Sequence, residues 1–500
     1  MSPRISPMDP VRRWAGYTPD RFALAGAGER LTWAELDARV DRTAWWLTQV
    51  QDLQRGDRIA LLARNHPFFF ELLFACLRTG IVLAPLNWRL SPGEISALLA
   101  LSRPRILIFD PVHAQTAAAL DLPDGAPLRP VPMAEILDAP EPTDVLPPWV
   151  GAAMEEPACL LFTSGTTGLP KAVVLPVRQL FWNAVNTGLA FKLTRDDATL
   201  VYTPLFHTGA INVLAVPLLQ CGGGVHVHDG FDPAAVTAGV SAEGVTTLFG
   251  VPITLQGLAD QPGFLTAARR TLRLCLCGGA PLPLSLIHRY RDAGVLLTQG
   301  FGMTEVGPNC FFLPPDQALT RAGSVGRAMP YGEARVRVDG RDAAVDEVGE
   351  LELAGPHVCA GYLDNPEATD AALVDGWFRT GDLVRMDADG YVHVAGRRKE
   401  MFISGGENVY PAEVENALMG HPGIRECAVV PVPDARWGEV GLAFVVGDDL
   451  DGEALRPWLR ERLAGYKIPK HIALREALPR NPSGKLLRAE LIEEARRHVS

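Results

Sequence analysis

The sequence lacks a long uninterrupted apolar run, and this absence limits where the protein can act. Its most apolar stretch, residues 67–86, is broken by Glu71, Arg78 and Gly80. A membrane span needs about 20 consecutive apolar residues, so this stretch predicts a buried helix followed by a strand, and we expect no transmembrane segment. Residues 1–14 also lack the apolar core of a secretory leader, which leaves the cytoplasm as the expected location.

The sequence also lacks an excess of basic side chains. It carries 47 Lys and Arg against 58 Asp and Glu, a formal charge of −11. Nucleic-acid backbones are bound by clustered Lys and Arg, so we expect no nucleic-acid partner, although one small anion in a local basic pocket stays compatible with this charge. The eight cysteines lie mostly in apolar runs, which favours reduced, buried thiols over a disulfide framework.

With 500 residues, the chain is long enough for roughly two to four structural units at about 100–200 residues per domain. Short β-branched runs alternate with helix-period segments in its first half. The predicted strands there are residues 58–63, 105–109, 158–162, 172–175, 245–249 and 272–277. The predicted helices include residues 68–78 and 92–101. This alternation predicts an α/β architecture with mostly parallel sheets.

The pattern changes after about residue 333. Residues 333–338, 350–353 and 391–394 alternate apolar and polar side chains, as strands with one solvated face do. From about residue 399 a small unit follows, with predicted elements at residues 411–419, 426–430, 442–446, 453–463 and 470–474. The predicted fold class is therefore α/β, with a large N-terminal domain of αβ layers plus a β-rich subdomain, and a small α+β C-terminal domain.

Hydroxyls, glycines and one lysine are concentrated in nine residues that follow an apolar strand. The run is Thr163, Ser164, Gly165, Thr166, Thr167, Gly168, Leu169, Pro170 and Lys171. Glycine lets backbone amides approach oxygens closely and hydroxyls add donors, so the run suits a polyphosphate. The Walker spacing, Gly then four residues then Gly-Lys-Ser/Thr, is absent, which disfavours a P-loop NTPase.

This run closely resembles the phosphate loop of the adenylate-forming superfamily, which contains acyl- and aryl-CoA synthetases, adenylation domains of nonribosomal peptide synthetases and firefly luciferase. Segments similar to the other superfamily motifs follow in the same order and cover most of the chain, at residues 204–209, 277–282, 300–305, 376–383, 396–400, 404–411 and 481–486. The resemblance implies an N-terminal AMP-binding domain at residues 1–396, a hinge at 397–400 and a mobile C-terminal domain at 401–500.

The resemblance implies how ATP is held. Phosphate contacts would come from Thr163, Ser164, Gly165, Thr166, Thr167, Gly168, Lys171 and Thr304. The segment lying along the adenine would include Gly278, Gly279 and Ala280, and Phe301 would pack on the adenine between the nucleotide-binding residues Gly300 and Gly302. Asp382 would bond the ribose hydroxyls, and Arg397 would lie near the ribose and the phosphate. Glu305, with Thr163, would hold Mg²⁺, a cation that prefers carboxylate oxygens and bridges phosphates.

The resemblance also implies how the acid and CoA are handled. His207 would lie near the acid, Lys399 would be the hinge residue, and Lys485 would be the mobile lysine that lets the carboxylate approach the α-phosphate. The segment facing the CoA arm would be Ser404, Gly405 and Gly406. We therefore expect the catalytic residues to be Lys485, His207, Glu305 and Lys171.

The implied function is that of an acid–CoA ligase that uses ATP, Mg²⁺ and CoA. The acid would first form an acyl-adenylate with release of pyrophosphate, and CoA would then take the acyl group with release of AMP. Residues 206–214 and 278–301 are apolar and lack a basic partner for a second carboxylate, and residues 402–415 resemble those of fatty-acid ligases. We therefore expect a medium- or long-chain fatty acid, with an aryl acid as the alternative. Superfamily members are often dimers, so the resemblance also suggests a homodimer.

Three other functions share these motifs. An amino-acid adenylation domain is disfavoured because residues 207–212 contain no carboxylate for a substrate amine, whereas a luciferase-like oxygenase has the same motifs. A nucleotide-binding regulator without catalysis is disfavoured by the intact Lys171, Glu305 and Lys485. Departures from the superfamily pattern occur at Ala172, Phe301 and Glu400, and none of them removes a charged group.

Overall fold

The computed structural model describes residues 8–120, 128–142, 151–164, 170–280, 282–434, 436–447, 450–452, 454–480 and 486–499. The strands within these ranges form four sheets. Three of the sheets are built from the chain up to Arg397, and the fourth is built from the chain after it.

The largest sheet in the described part of the chain has nine strands and a parallel centre. In spatial order its strands are Arg327–Ala328, Phe311–Phe312, Leu297–Phe301, Leu274–Cys277, Thr247–Gly250, Ala198–Val201, Gly224–Val227, Phe22–Gly26 and Glu29–Thr32. Antiparallel pairing is confined to its two ends. Parallel neighbours need crossover connections, which here are mostly helical, so helices cover the sheet.

A second, mostly parallel sheet shares one hydrophobic core with the first. In spatial order its strands are Arg129–Pro132, Ile106–Phe109, Arg58–Leu62, Val82–Pro85, Pro157–Ser164 and Pro170–Pro176. The last two strands pair antiparallel as a hairpin, so the strand predicted at residues 172–175 is real but does not belong to the parallel set. The hairpin places Lys171 opposite Thr163.

Helices connect and cover these sheets. The longer helices before residue 398 are Pro10–Tyr17, Trp33–Trp45, Phe68–Thr79, Pro92–Ser102, Val177–Ala190, Val216–Cys221, Pro233–Ala242, Pro252–Asp260, Phe264–Thr271, Leu284–Asp292 and Pro366–Ala372. The shorter ones are Ala114–Ala118, Met133–Leu137 and Thr208–Ala210. Several begin at a cap that the sequence supplies, such as Ser91, whose hydroxyl accepts from the backbone N–H of Glu94 while the Glu94 carboxylate accepts from the N–H of Ser91.

The helix Phe68–Thr79 confirms the prediction of a buried helix followed by a strand. Every one of its residues is buried, including Arg78, whose guanidinium pairs with Asp9, Asp37 and Asp41. Glu71 is paired as well, with Arg39 Nη1 at 3.3 Å. Burial of a charge needs such partners, which explains why two charged residues can occupy this apolar stretch. Among the described residues, no helix combines the length and the apolar character that crossing a membrane requires.

The third sheet is antiparallel and has six strands in the described ranges. They are Arg341–Asp342, Glu333–Val338, Gly349–Ala354, Trp377–Met386, Leu373–Val374 and Val392–Arg397. In strand Gly349–Ala354 the first three residues alternate between buried and half-buried, in keeping with a sheet that has one solvated face. The β-rich segment predicted after residue 333 is confirmed.

The fourth sheet belongs to the chain after residue 400. Its strands are Glu407–Val409, Phe402–Ser404, Gly438–Gly447, Ile424–Asp434 and His471–Arg475, and its helices are Pro411–Met419, Leu455–Arg460 and Arg488–Val499. The helix predicted over residues 453–463 is shorter in the structure, which has it at Leu455–Arg460, and Glu453 lies outside the described residues. After Arg460 the backbone N–H of Arg462 donates to the Leu459 carbonyl at 3.0 Å, an i→i−3 bond that tightens the last turn. This mixed sheet with helices is the predicted small α+β unit.

All eight cysteines are free thiols, and six of them are buried. Burial raises the pKa of Cys275 to about 12 and acts in the same direction on its neighbour Cys277. These two therefore stay protonated and unreactive at neutral pH.

Candidate active site

Most of the predicted site lies at one edge of the nine-stranded sheet. The strands that end at Val201, Gly250, Cys277 and Phe301 are parallel, so their carboxyl ends meet at this edge. Ligands of open α/β sheets bind in the crevice outside such ends. The loops that follow these strands carry His207, Gly278, Gly279, Ala280, Gly302, Thr304 and Glu305.

Tyr362 joins the predicted phosphate lysine to the predicted metal residue. Its position is set by backbone pairing, because the N–H of Leu363 donates to the Ala172 carbonyl at 2.8 Å. The Lys171 Nζ lies 4.6 Å from the centre of the Tyr362 ring, and the Tyr362 hydroxyl donates to Glu305 Oε1 at 3.2 Å. Two predicted residues from distant motifs are thereby brought together.

The environment of Glu305 fits a divalent cation. Its side chain is 8% exposed, and burial raises the pKa of the carboxyl, while the Tyr362 hydrogen bond and the charges of Arg397 and Lys171 act to lower it. A buried carboxylate is stabilised in its charged form by a nearby cation, and carboxylate oxygen is the ligand that Mg²⁺ prefers. The buried carboxylate of Glu305 therefore fits the predicted Mg²⁺, and Thr163, on the hairpin that carries Lys171, stays the second predicted ligand.

The two predicted ribose residues are paired. Asp382 and Arg397 are opposite each other on adjacent strands, and Arg397 Nε lies 2.7 Å from Asp382 Oδ1. The Asp382 side chain is buried, and the backbone N–H of Asp382 donates to Thr380 Oγ1 at 3.0 Å. Because the charge of Arg397 lowers the pKa of Glu305, this pair belongs to the same electrostatic neighbourhood as the predicted metal residue.

The predicted acid segment has an aromatic wall. The Phe206 ring centre lies 4.5 Å from that of the half-buried His207 and 6.4 Å from that of Trp88. The segment continues as a π-helical turn at Ile211–Ala215. Turns of this kind are rare in proteins, and many of those that occur lie at functional sites.

Phe249 lies between two glycines of the site. A Cβ atom added to Gly209 would lie 3.2 Å from Cε1 of the Phe249 ring, and one added to Gly278 would lie 3.1 Å from Cε2. Gly209 belongs to the acid segment and Gly278 to the adenine segment, so the ring connects the two. The absence of a side chain at both positions is what gives the ring its place.

The glycines of the GFG segment are required by close backbone approach. A Cβ atom on Gly302 would overlap the Pro308 carbonyl, and one on Gly300 would lie 2.8 Å from the Phe311 carbonyl oxygen. Between them, the half-buried Phe301 ring packs edge-on against Phe311 at 5.9 Å. The local structure therefore explains both glycines without a ligand, and nucleotide contact from them stays a prediction.

The predicted hinge residue Lys399 is exposed and lies between two anchored neighbours. On one side, the guanidinium of Arg398 lies 3.2 Å from the Glu350 carboxylate of the antiparallel sheet. On the other side, the Glu400 carboxylate lies 3.2 Å from Arg488 of the last helix. The contacts on the two sides of Lys399 thus attach to different parts of the molecule, the antiparallel sheet and the last helix.

The segment Ser404, Gly405 and Gly406 belongs to the small sheet and contacts Trp437. The backbone N–H of Gly405 donates to the Trp437 carbonyl at 2.9 Å, and a Cβ atom on Gly405 would overlap the Trp437 ring. Gly405 and Gly406 have φ of 62° and 90°, which favours glycine. No hydrogen bond or ion pair of the described residues joins this segment to Glu305 or Lys171.

Some predicted residues lie outside the described residues. These are Lys485, Gly165, Thr166, Thr167 and Gly168, together with the side chain of Ser164. Their roles stay predictions.

Sequence reasoning does not identify Tyr362, Phe249 or Trp437. Each is a single aromatic residue whose importance depends on tertiary contacts with a partner far along the chain. The one local signal is an adjoining glycine, Gly361 before Tyr362 and Gly250 after Phe249, which marks close backbone approach.

Comparison with known proteins identifies the family. The AMP-binding enzyme family matches residues 11–363, and the AMP-binding enzyme C-terminal domain matches residues 413–485. A feruloyl-CoA synthase from Amycolatopsis sp is 45% identical over 486 residues, covering 96% of this chain and 97% of that protein. An indoleacetate–CoA ligase from Aromatoleum aromaticum is 38% identical, covering 95% of each chain.

A solved structure extends the likeness to the whole fold. The o-succinylbenzoate-CoA synthetase from Bacillus subtilis, in complex with its acyl-adenylate intermediate, has a TM-score of 0.86, 31% identity and 97% coverage of each chain. The predicted fold class, with its large N-terminal and small C-terminal domain, is confirmed by this likeness. The chain belongs to the AMP-binding enzyme family of the adenylate-forming superfamily, and it is an AMP-forming acyl-CoA synthetase.

Proposed function

We propose that this acid–CoA ligase acts on an aryl acid, which it activates with ATP and Mg²⁺ and transfers to CoA. The observation that carries the proposal is the ring of Phe249, which lies between the backbones of Gly209 and Gly278 and so adjoins both the acid and the adenine segments. An aromatic face at that junction suits a planar acid, since ring pairs gain about 0.5–1.5 kcal/mol beyond area burial.

Two relatives with 38–45% identity support an aryl acid as well. The feruloyl-CoA synthase and the indoleacetate–CoA ligase are both named for acids with an aromatic ring. The fatty acid expected from the resemblance of residues 402–415 is not confirmed. That stretch belongs to the small sheet and contacts Trp437, so it carries no information about the shape of the acid pocket.

In the first half-reaction the carboxylate attacks the α-phosphorus of ATP and pyrophosphate leaves. Two anions must meet, so the work of the protein is positioning and charge neutralisation. Lys171 and the loop hydroxyls would bind the phosphates, Asp382 and Arg397 the ribose, and Lys485 would lie between carboxylate and α-phosphate. Mg²⁺ held by Glu305 and Thr163 would neutralise phosphate charge.

In the second half-reaction the CoA thiol attacks the acyl carbon and AMP leaves. The thiol needs the space that Lys485 would fill during adenylation, so the small domain would turn about Lys399 between the two steps. The anchors of Arg398 and Glu400 on either side would confine that turn to Lys399. The segment Ser404–Gly406, backed by the Trp437 ring, would then meet the CoA arm.

An acid panel tests this proposal. Purified protein is supplied with ATP, Mg²⁺ and CoA and with ferulic acid, indoleacetic acid or saturated fatty acids of graded length, and AMP and acyl-CoA are quantified. We expect kcat/KM to be at least about 10-fold higher for an aryl acid than for any fatty acid, the discrimination that one well-fitted ring supplies. A higher kcat/KM for a fatty acid would contradict the aryl assignment, and AMP release without acyl-CoA would indicate another acceptor.

A further inference from the structure

One helix next to the site turns a polar face into the protein. The helix Val177–Ala190 carries Gln179, Asn183, Asn186 and Thr187 at spacings that share one face, and each of these side chains is at most 1% exposed. Inward faces of helices are normally apolar, because a buried amide is costly unless all its groups are bonded. These amides therefore need an explanation beyond core packing.

Gln179 is bonded to the turn that carries the predicted metal residue. Its Nε2 donates to the carbonyl of Thr304 at 2.8 Å. Thr304 begins the short 3-10 turn that contains Glu305, so the Gln179 side chain holds this turn from behind.

Asn183 contacts the acid side and the metal side at once. Its Nδ2 donates to the carbonyl of Asn212 at 2.6 Å, and Asn212 Nδ2 in turn donates to Thr208 Oγ1 at 3.1 Å. On the other side, Gly307 lies so close that a Cβ atom there would be 3.2 Å from the Asn183 Cβ. The spacing between the segment after His207 and the turn after Glu305 is thus filled by one side chain.

Two further bonds from the same face continue this arrangement. Asn309 Nδ2 donates to Thr187 Oγ1 at 2.8 Å and to the Val213 carbonyl at 3.0 Å, and Asn186 Oδ1 accepts from the backbone N–H of Tyr331 at 2.8 Å. The helix therefore contacts three loops, those of residues 208–213, 304–309 and 331.

The other end of each amide is unsatisfied. Gln179 Oε1, Asn183 Oδ1, Asn212 Oδ1 and Asn186 Nδ2 are buried without a hydrogen-bond partner among the described residues. Packing of the core alone does not account for these amides, since an apolar residue of the same shape would need no partner at either end.

We propose that Gln179 and Asn183 are positioning residues for adenylation, which fix the separation between the Thr304–Glu305 turn and the His207–Asn212 segment. This inference rests on the proposed function, because the separation matters only if the acid and Mg·ATP react across it. Reacting atoms must meet at about 3–3.5 Å, and an error of about 1 Å in their placement costs on the order of 100-fold in rate.

The test uses two shape-conserving substitutions, Gln179→Met and Asn183→Leu, and acid-dependent pyrophosphate exchange. For Gln179→Met we expect kcat to fall at least about 10-fold and the Mg²⁺ concentration for half-maximal rate to rise, with KM for the acid changed less than about twofold. For Asn183→Leu we expect the acid KM to rise at least about 10-fold as well. Asn183→Ser, which is smaller and stays polar, replaces Asn183→Leu if that variant does not fold.

The unfolding temperature separates positioning from a structural role. Each substitution removes an unpaired amide atom but also leaves one backbone carbonyl, that of Thr304 or of Asn212, without its donor. These two effects are of similar size and opposite sign, so we expect the unfolding temperature to shift by no more than about 2–4 °C while activity falls. The control is Ser102→Ala, which removes a buried hydroxyl that donates to the Leu98 carbonyl in its own helix and should leave kcat unchanged.

Two outcomes would overturn the inference while leaving the proposed function intact. In the first, the wild-type protein catalyses exchange and both variants have exchange rates within twofold of it. In the second, a variant loses activity and its unfolding temperature falls to a matching extent. Absence of acid-dependent exchange in the wild-type protein would instead contradict the proposed function itself.

Discussion

At Gly302 the backbone passes so close to the Pro308 carbonyl that a Cβ atom would overlap it, and Gly209 and Gly278 approach the Phe249 ring from two sides. Such contacts act at the scale of single residues. Glycine at these positions lets segments from different strands meet at van der Waals distance, and the side chains that fill the remaining space then decide what else fits.

We expect a substitution of Phe249 to change which acids the protein prefers. Phe249→Ala removes the ring between the two glycines, so we expect KM for aryl acids to rise at least about 10-fold, in line with the loss of an aromatic contact plus buried area. KM for ATP should change less. The control is Phe231→Ala, at a phenylalanine that is 39% exposed. An unchanged aryl-acid KM in Phe249→Ala would remove this residue from the pocket.

Glu305 gives the site a pH dependence. Burial raises the pKa of this carboxyl above its ordinary value of 4.5, so Glu305 takes up a proton at a higher pH than a free glutamate. The protonated form does not bind a cation. The Mg²⁺ concentration for half-maximal pyrophosphate exchange should therefore rise as the pH falls through the raised pKa. Glu305→Gln has no carboxyl to titrate there, so its reduced residual exchange should not show that trend.

The stability of the protein without Mg²⁺ provides the matching control. A carboxyl whose pKa is higher in the folded than in the unfolded protein favours the folded state most at low pH, below its pKa in the unfolded chain. This stabilisation is lost as the pH rises through its pKa in the folded protein. Glu305→Gln should therefore raise the unfolding temperature at about pH 8 and have less effect at about pH 5. A lower unfolding temperature at both pH values would contradict the buried-carboxylate account.

At the scale of helices and strands, periodicity predicts what the chain forms locally. Helix Phe68–Thr79 and strands Arg58–Leu62 and Glu333–Val338 lie within one or two residues of their predicted bounds, because burial of one face or of a whole segment leaves a pattern in the sequence. Strand direction leaves none. Strand Pro170–Pro176 is as apolar as its parallel neighbours, and only the structure shows that it turns back on Pro157–Ser164.

From the sequence, only those residues of the candidate site that belong to short local motifs could be predicted. Glycines and charged residues such as Lys171, Glu305 and Asp382 stand out in short motifs. Tyr362, Gln179 and Asn183 do not, because their bonds to Glu305, Thr304 and Asn212 join distant parts of the chain and no spacing rule relates them.

The hinge is the element whose mechanics can be tested most simply. Glu400→Gln removes the ion pair with Arg488 while Arg488 keeps its bonds to Glu415, so the last helix should stay in place. We expect faster tryptic cleavage at residues 397–399 and a changed ratio of adenylation to thioester formation, because the turn is no longer confined to Lys399.

The matched control for the hinge variant is Glu494→Gln. This substitution removes the ion pair between Glu494 and Arg475, whose side chains are about as exposed as those of the Glu400–Arg488 pair. Glu494 lies in the last helix and Arg475 in the small sheet, so this pair does not involve the hinge. Equal effects of the two substitutions on cleavage and on the ratio of the half-reactions would show that Glu400 has no special part in the hinge.

At the scale of the whole molecule, lysine is rare. The 500 residues contain six lysines, at positions 171, 192, 399, 467, 470 and 485, so that arginine supplies most of the positive charge. Three of the six stand at predicted site positions. A compact ammonium on a flexible stem suits a charge that must enter and leave a crowded pocket, whereas the planar guanidinium does not.

Lys485 should therefore be needed for one half-reaction only. We expect Lys485→Ala to reduce acid-dependent pyrophosphate exchange by at least about 100-fold, since it removes the charge between two anions, and Lys485→Arg to restore little of it. Thioester formation from supplied acyl-adenylate and CoA should stay within about threefold of wild type. Equal losses in both half-reactions would show that Lys485 acts through folding or domain placement instead.

The central claim is that the acid is joined to AMP before it reaches CoA. The most direct measurement uses an aryl acid labelled with ¹⁸O in its carboxylate, converted by the purified protein with ATP and CoA, and mass spectrometry of the nucleotide product. If the carboxylate attacks the α-phosphorus and the thiol then expels AMP, one ¹⁸O must appear in AMP for each acyl-CoA formed. Unlabelled AMP, or label in inorganic phosphate with ADP as the product, would contradict the account.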